Sequence, residues 1–237
     1  MIRQHINTAG ERGFQWRGGE ITRVEGFSDA VFAFAVTLLV VSLEVPKSVH
    51  ELMAVMRGFI PFGICFALLA ELWYKHYLFF RRYGLQNPWT IFLNSLLLFF
   101  ILFFVYPLKF LFFVILTQSS SFDAKDGRAV LMVYGGGYAA VSLIFALLYL
   151  HAWRQRQALA LNEMESLKTV HTLIDHCAMV TIGLVSVTLA STLPPELIGL
   201  AGWFYSIIGV YYFIARTVFG KRERRLSESM RIAEEHQ

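Results

Sequence analysis

The sequence predicts an all-α, polytopic membrane protein with six transmembrane helices per subunit. Three observations predict it. The 237-residue chain is 56% hydrophobic, carries 22 Phe, has a mean hydropathy of +0.53 and is 16% charged, whereas soluble domains are about a quarter charged. Six apolar windows approach or exceed the roughly 20 residues that a bilayer-crossing helix needs, at 27–45, 52–74, 89–117, 129–153, 169–193 and 196–219. The Lys and Arg residues also fall unevenly on the two sets of connections between those windows.

The connections carry loop chemistry. Pro46, Lys47 and Ser48 end the first window. Arg81 and Arg82, with Asn87 and Pro88, separate the second from the third, and Ser119 to Gly127 separates the third from the fourth. Arg154 to Lys168 follows the fourth, and Gln155 to Lys168 reads as an exposed amphipathic turn or helix extension. Pro194 and Pro195 divide the last two windows tightly. The first twenty residues are polar and do not read as a cleavable signal peptide. The three glycines Gly135, Gly136 and Gly137 in the fourth window suit close backbone approach between helices.

Sixteen of the 21 Lys and Arg lie on one side of the expected bilayer, against Lys47, Arg57, Lys125 and Arg128 on the other, with Lys109 inside the third window. Cytoplasmic loops collect positive charge, so both termini are expected in the cytoplasm, in keeping with an even number of spans. The division is therefore residues 1–220 as one six-helix transmembrane unit and 221–237 as a charged cytoplasmic C-terminal tail. The net charge of +4 reads as the excess of Lys and Arg that cytoplasmic loops carry. Nucleic-acid binding is not expected, because no basic stretch is interleaved with stacking aromatics. The cysteines, Cys65 and Cys177, lie in apolar windows and form no metal-binding spacing. No nucleophile–base pair, phosphate loop or catalytic carboxylate pair is present, so an enzyme is not expected.

The first window poses the sharpest question. RVEGFSDAVFAFAVTLLVVSLEVP places Arg23, Glu25, Ser28 and Asp29 at the head of an apolar helix. With Arg23 at zero and about 100° per residue, Ser28, Glu25 and Asp29 fall near about 140°, 200° and 240°. Phe34, Thr37, Leu38 and Val41 fall on the other side, near about 20°, 320°, 60° and 0°. A carboxylate in lipid is costly, so Asp29 should look into protein or water. Trp73 and His76 of the second window and Asn94 of the third lie near the same depth, and an imidazole or an amide can donate to Asp29 or Ser28. The opposite seam is either ordinary helix packing or a pore wall built from several copies of this helix, and spacing does not choose between them.

The residues that carry the polar side resemble a known family. R-x-x-x-F-S-D, present as Arg23, Phe27, Ser28 and Asp29 and followed by AVFAFAVTLLVVSLEVP, is similar to the transmembrane protein 175 family, the prokaryotic relatives of the endolysosomal potassium channel. The resemblance extends to W-x-x-H at Trp73 and His76, to Asn94 and to Pro107; beyond about residue 110 it rests on hydropathy alone. It implies a potassium-permeable cation channel, homotetrameric, with potassium as permeant ion and no other cofactor. It implies a multi-pass protein of the cell membrane whose first helix lines the pore, with Phe34, Leu38 and Val41 as apolar rings and Thr37 as a hydroxyl ring. Arg23, Phe27, Ser28, Asp29, Trp73, His76 and Asn94 become the structural motif. No carbonyl selectivity loop is implied, and no TVGYG-like segment occurs in the chain. One residue departs from the pattern: Phe34 stands where the family usually has Ile or Leu.

His171, Asp175 and His176 begin the fifth window as H-x-x-x-D-H, read either as a metal or proton site or as an interfacial polar cluster. Glu71 and Lys109 read as snorkelling or interhelical contacts, and Trp89, Trp153 and Trp203 as interface anchors. Lys221 to Arg225 reads as a cytoplasmic face meeting anionic membrane lipid. Two rivals to a channel stand beside it: a secondary cation transporter, and a non-conducting membrane scaffold.

Overall fold

The computed structural model describes residues 14–41, 47–117 and 124–235, and among them every regular element is helical. α1 spans Arg23–Val41, α2 Val49–Arg57, α3 Phe59–Tyr83, α4 Pro88–Thr117, α5 Ala124–Arg154 and α6 Glu163–Thr192. The last apolar window is not one rod. A 3-10 turn at Pro195–Leu197 leads into α7 (Gly199–Trp203), a second 3-10 turn at Phe204–Ser206 and then α8 (Ile207–Glu235). Consecutive prolines at 194 and 195 and glycines at 199 and 202 account for the break. α8 continues unbroken across residue 220 into the charged tail.

Helix starts are set by local side-chain caps. The Thr22 hydroxyl accepts from the Glu25 backbone N–H at 3.2 Å while Glu25 Oε2 accepts from the Thr22 N–H at 2.8 Å, a reciprocal box that begins α1. Asn162 and Glu165 repeat the arrangement at the head of α6. Asn87 Oδ1 caps α4 through the Thr90 N–H at 2.9 Å, with Pro88 at the first helical position.

α3 outruns the expected second window. Residues 75–83, read as leading into a loop, are helical because His76, Phe79, Phe80, Arg82 and Tyr83 turn inward. The helix ends instead at Gly84, whose φ of +60° is left-handed and whose added Cβ would lie 3.1 Å from the Arg17 carbonyl oxygen.

α1 rests on α3 and α4, α4 on α5, and α5 on α6 along the most extensive seam; α8 packs on α6. The core lies between them around Phe79, Phe80, Leu97, Phe145, Leu148 and Tyr149. The glycine reading holds for two of the three positions. A Cβ on Gly135 would come 2.8 Å from Val187, and one on Gly137 would strike the Phe104 ring at 2.2 Å, whereas Gly136 faces open space. Gly183 answers from α6, where a Cβ would sit 3.0 Å from the Gly135 carbonyl oxygen. Arg128 closes the far end of the same seam, donating to the carbonyls of Ser191 at 2.7 Å and Leu193 at 2.8 Å.

By length and composition, four helical stretches among the described residues suffice to cross a membrane: Pro88–Phe112, Asp126–Arg154, Glu163–Thr192 and Pro195–Ser229. α1 and α3 are outside that set; α1 carries Arg23, Glu25 and Asp29, and α3 carries Glu71, Lys75, Arg81 and Arg82.

Gly183→Val is expected to destabilise the α5–α6 seam by about 1–3 kcal/mol through overpacking, read as a lowered thermal midpoint in detergent. Gly136→Ala, with nothing within 4 Å of its added methyl, should leave the midpoint unchanged or slightly raised.

Candidate functional site

α1 has two faces of opposite character. Glu25, Ser28, Phe32, Ala35 and Leu39 are buried, at the alternating spacing of three and four that keeps one helical stripe against its neighbours. At the centre of that stripe is a chain of hydrogen bonds across three helices. The Ser28 hydroxyl donates to the Val24 carbonyl at 2.8 Å and accepts from Asn94 Nδ2 at 2.9 Å. Asn94 Oδ1 lies 2.8 Å from His76 Nε2. Because the Asn94 amide nitrogen is committed to Ser28, its oxygen is the acceptor and His76 Nε2 carries the proton. Phe32 and Phe80 pack about the imidazole, with ring centroids at 5.6 and 4.7 Å. Donor and acceptor are matched at each step, as burial in an apolar bundle requires.

Asp29 is held differently. It is exposed on the single chain, and Trp73 Nε1 donates to its Oδ1 at 2.8 Å. Trp73 stacks on Tyr77, over which the Arg81 guanidinium lies at 5.4 Å from the centroid. The motif is therefore not one packed set, as the sequence suggests. Ser28, His76 and Asn94 are buried together, Asp29 and Trp73 pair at the surface, and Arg23 and Phe27 are exposed, Phe27 by 62%. The reason is angular. Phe27 falls near about 40° on the helix and Arg23 at zero, both on the outward side.

The outward face carries the expected seam. Phe34 is 55% exposed, and Thr37 is exposed with its hydroxyl donating to the Ala33 carbonyl at 2.9 Å. Leu38 is half-buried and leans on the core at the seam's edge. Val41 closes α1, and its side chain lies outside the described residues.

A bidentate, charge-assisted contact escaped the sequence reading. Arg17 grips Glu165 through both forks, Nη1 to Oε1 at 3.0 Å and Nη2 to Oε2 at 2.7 Å. It also donates to the carbonyls of Leu159 at 2.6 Å and Ala160 at 3.0 Å. Glu165, only 1% exposed, further accepts from the Gln15 N–H at 2.7 Å and the Asn162 N–H at 3.0 Å. The connection read as an exposed amphipathic turn or helix extension does become helical from Glu163, but it contains a buried, charged anchor. Next to it the backbone N–H groups of Arg17 and Gly18 donate to the Arg81 carbonyl at 3.1 and 3.0 Å. A Cβ on Gly18 would lie 2.7 Å from the Phe80 carbonyl oxygen, so the close approach needs glycine. N-x-x-E at 162–165, a capping signature, was the one local signal for this anchor.

H-x-x-x-D-H is split by the fold. Asp175 Oδ1 accepts from the Tyr211 hydroxyl at 2.8 Å and lies 3.5 Å from His171 Nε2. His176 turns inward instead, stacked on Phe145 and Tyr149 at 5.0 and 5.7 Å. Glu71 makes a contact within its own helix, to Lys75 at 2.7 Å, where an interhelical or snorkelling one was expected. The side chain of Lys109 lies outside the described residues.

Three comparisons bear on this arrangement. Residues 23–104, which begin at Arg23 and contain the Ser28, His76 and Asn94 chain, match the family described as endosomal/lysosomal potassium channel TMEM175. A protein of Marivirga tractuosa named potassium channel is 39% identical over 230 residues, covering 90% of this chain and 93% of that one. The crystal structure of a variant of the potassium channel MtTMEM175, in complex with a nanobody–MBP fusion protein, superposes with a TM-score of 0.79 at 35% identity, covering 91% of this chain and 99% of that one. A lysosomal potassium-selective channel TMEM175 homolog from Chamaesiphon minutus shares the fold, with a TM-score of 0.54 at 23% identity over 85% of this chain and 96% of that one.

Two substitutions separate the anchors. Arg17→Ala leaves the Glu165 carboxylate buried without its cation and is expected to cost about 3–5 kcal/mol, seen as a large fall in thermal midpoint and folded yield. Asn94→Leu strands one donor and one acceptor and should cost about 1–3 kcal/mol per orphaned group. A double-mutant cycle of Asn94→Leu with Ser28→Ala should show coupling, since the two share a bond.

Proposed function

The chain belongs to the TMEM175 family of potassium channels, and on that footing we propose that it is a potassium-permeable, homotetrameric cation channel of the cell membrane whose pore is lined by α1. The observation that carries the reading is the division of α1. All of its buried polar anchors lie on one face, and the opposite face presents Phe34 and Thr37 as exposed residues. One helix cannot enclose a pathway, but a cyclic assembly supplies the other walls. In this reading six helices cross the membrane, α1 and α3 included, because the charges at their ends meet partners at Thr22, Trp73 and the backbone of Gly18 and Gly19. Both termini then lie in the cytoplasm, where the excess of Lys and Arg falls.

Chemistry at the rings follows from what each side chain offers. α1 is helical without interruption from Arg23 to Val41, so its carbonyls serve the helix and discrimination falls to side chains. The Thr37 proton is given to the Ala33 carbonyl, which leaves oxygen lone pairs to replace water around a cation. Rings of Phe34, with Leu38 and Val41 beyond, form apolar constrictions that close by dewetting. A phenyl ring adds what Ile or Leu does not. Its face can attract a desolvating cation by about 0.5–2 kcal/mol per contact.

Reconstituted into liposomes, the protein is expected to pass potassium passively and electrogenically. Coupled, saturable exchange would instead indicate a transporter, and no flux a scaffold. Phe34→Ala should widen the constriction and raise passive potassium flux severalfold, whereas Thr37→Val should lower it. Unchanged flux in Phe34→Ala at normal expression would falsify the pore assignment.

A further inference from the structure

On α6 and α8, away from α1, lies a cavity of about 550 Å³ whose lining includes His171, Asp175, Arg216, Phe219, Glu223 and Arg224. Its charge is arranged, not scattered. Arg216 and Arg224 are eight residues apart on α8, about 12 Å along the axis and within about 80° around it, so two long side chains converge on one space. Both are exposed, and neither makes a hydrogen bond or ion pair with the described residues. Phe219 forms a firm wall between them, stacked on His171 at 3.8 Å and covered by Arg222 at 5.8 Å. Of the two lining carboxylates, Asp175 is already occupied by Tyr211 and His171. Glu223 stands within a run, 216–225, that holds five cations and no second acid. The run overlaps the end of the last apolar window, which in the topology proposed above lies at the depth of the cytoplasmic headgroups.

We propose that this cavity binds the phosphate of an anionic phospholipid headgroup, gripped by Arg216 and Arg224 with Phe219 and His171 as the wall between them. Unpaired guanidiniums in a partly walled site match a phosphate by bidentate hydrogen bonding. Basic pockets between membrane helices on the cytoplasmic side suit such headgroups. The site does not depend on which helix lines a pore.

The test uses the full chain in neutral detergent, titrated with dioctanoyl phosphatidylglycerol, dioctanoyl phosphatidylcholine or inorganic phosphate while the thermal midpoint is followed. Phosphatidylglycerol should raise the midpoint in a saturable way and the other two should not. In Arg216→Gln/Arg224→Gln the apparent affinity for phosphatidylglycerol should fall about tenfold or more. An equal rise with phosphatidylcholine would overturn the proposal, as the net negative charge of the headgroup would then play no part. An equal rise with inorganic phosphate would overturn the lipid source and leave a soluble-phosphate site. Undiminished affinity in the double variant would overturn the assignment of the two arginines. The wild-type comparison of the three additives stands whether or not the variant folds.

Discussion

A polar group placed among membrane helices has no water to fall back on, and the architecture of α1 follows from that constraint. Ser28, Asn94 and His76 solve it by passing one direction of hydrogen bonding through three helices, ending on the Val24 carbonyl. Each group is at once satisfied and oriented, so the helix is fixed in rotation as well as position. Fixing the rotation determines what the other side shows. Phe34 and Thr37 point outward because Ser28 and its partners point inward, and the two sets are opposite on the same wheel.

The end of the bundle where α1 begins answers the same constraint with charge. Arg17 and Glu165 form a buried pair in which the carboxylate is met by a guanidinium fork and by two backbone N–H groups. A buried ion pair of this kind contributes little net stability against an apolar substitute, yet breaking it is expensive. Its effect is to bind the segment before α1 to the head of α6, and through the Arg81 carbonyl to the end of α3. The head of α6, the end of α3 and the entry to α1 thus form one hydrogen-bonded plate.

Periodicity explains what was legible in the residues and what was not. The two faces of α1, the grouping of Ser28 with Asn94 and His76, and the close glycine seam all follow from the 3.6-residue repeat or from small side chains, which act locally. Arg17 and Glu165 are separated by 148 positions, and no pattern around either one names the other. The helical run to Tyr83 was hidden because Arg81 and Arg82 look like loop residues, although the fold turns Arg82 inward and uses the Arg81 carbonyl as an acceptor. The break before α8 was hidden for the opposite reason. The stretch from Leu197 to Tyr205 is apolar apart from its glycines and gives no polar signal of a turn.

α8 runs from Ile207 to Glu235 as a single helix, so its last fifteen residues form a rod about 22 Å long and not a tether. A tether would absorb whatever happens at its far end. A stiff lever instead delivers a push or pull at the tail, with its torque, to the place where α8 rests on α6, so cargo attached there acts mechanically on the bundle.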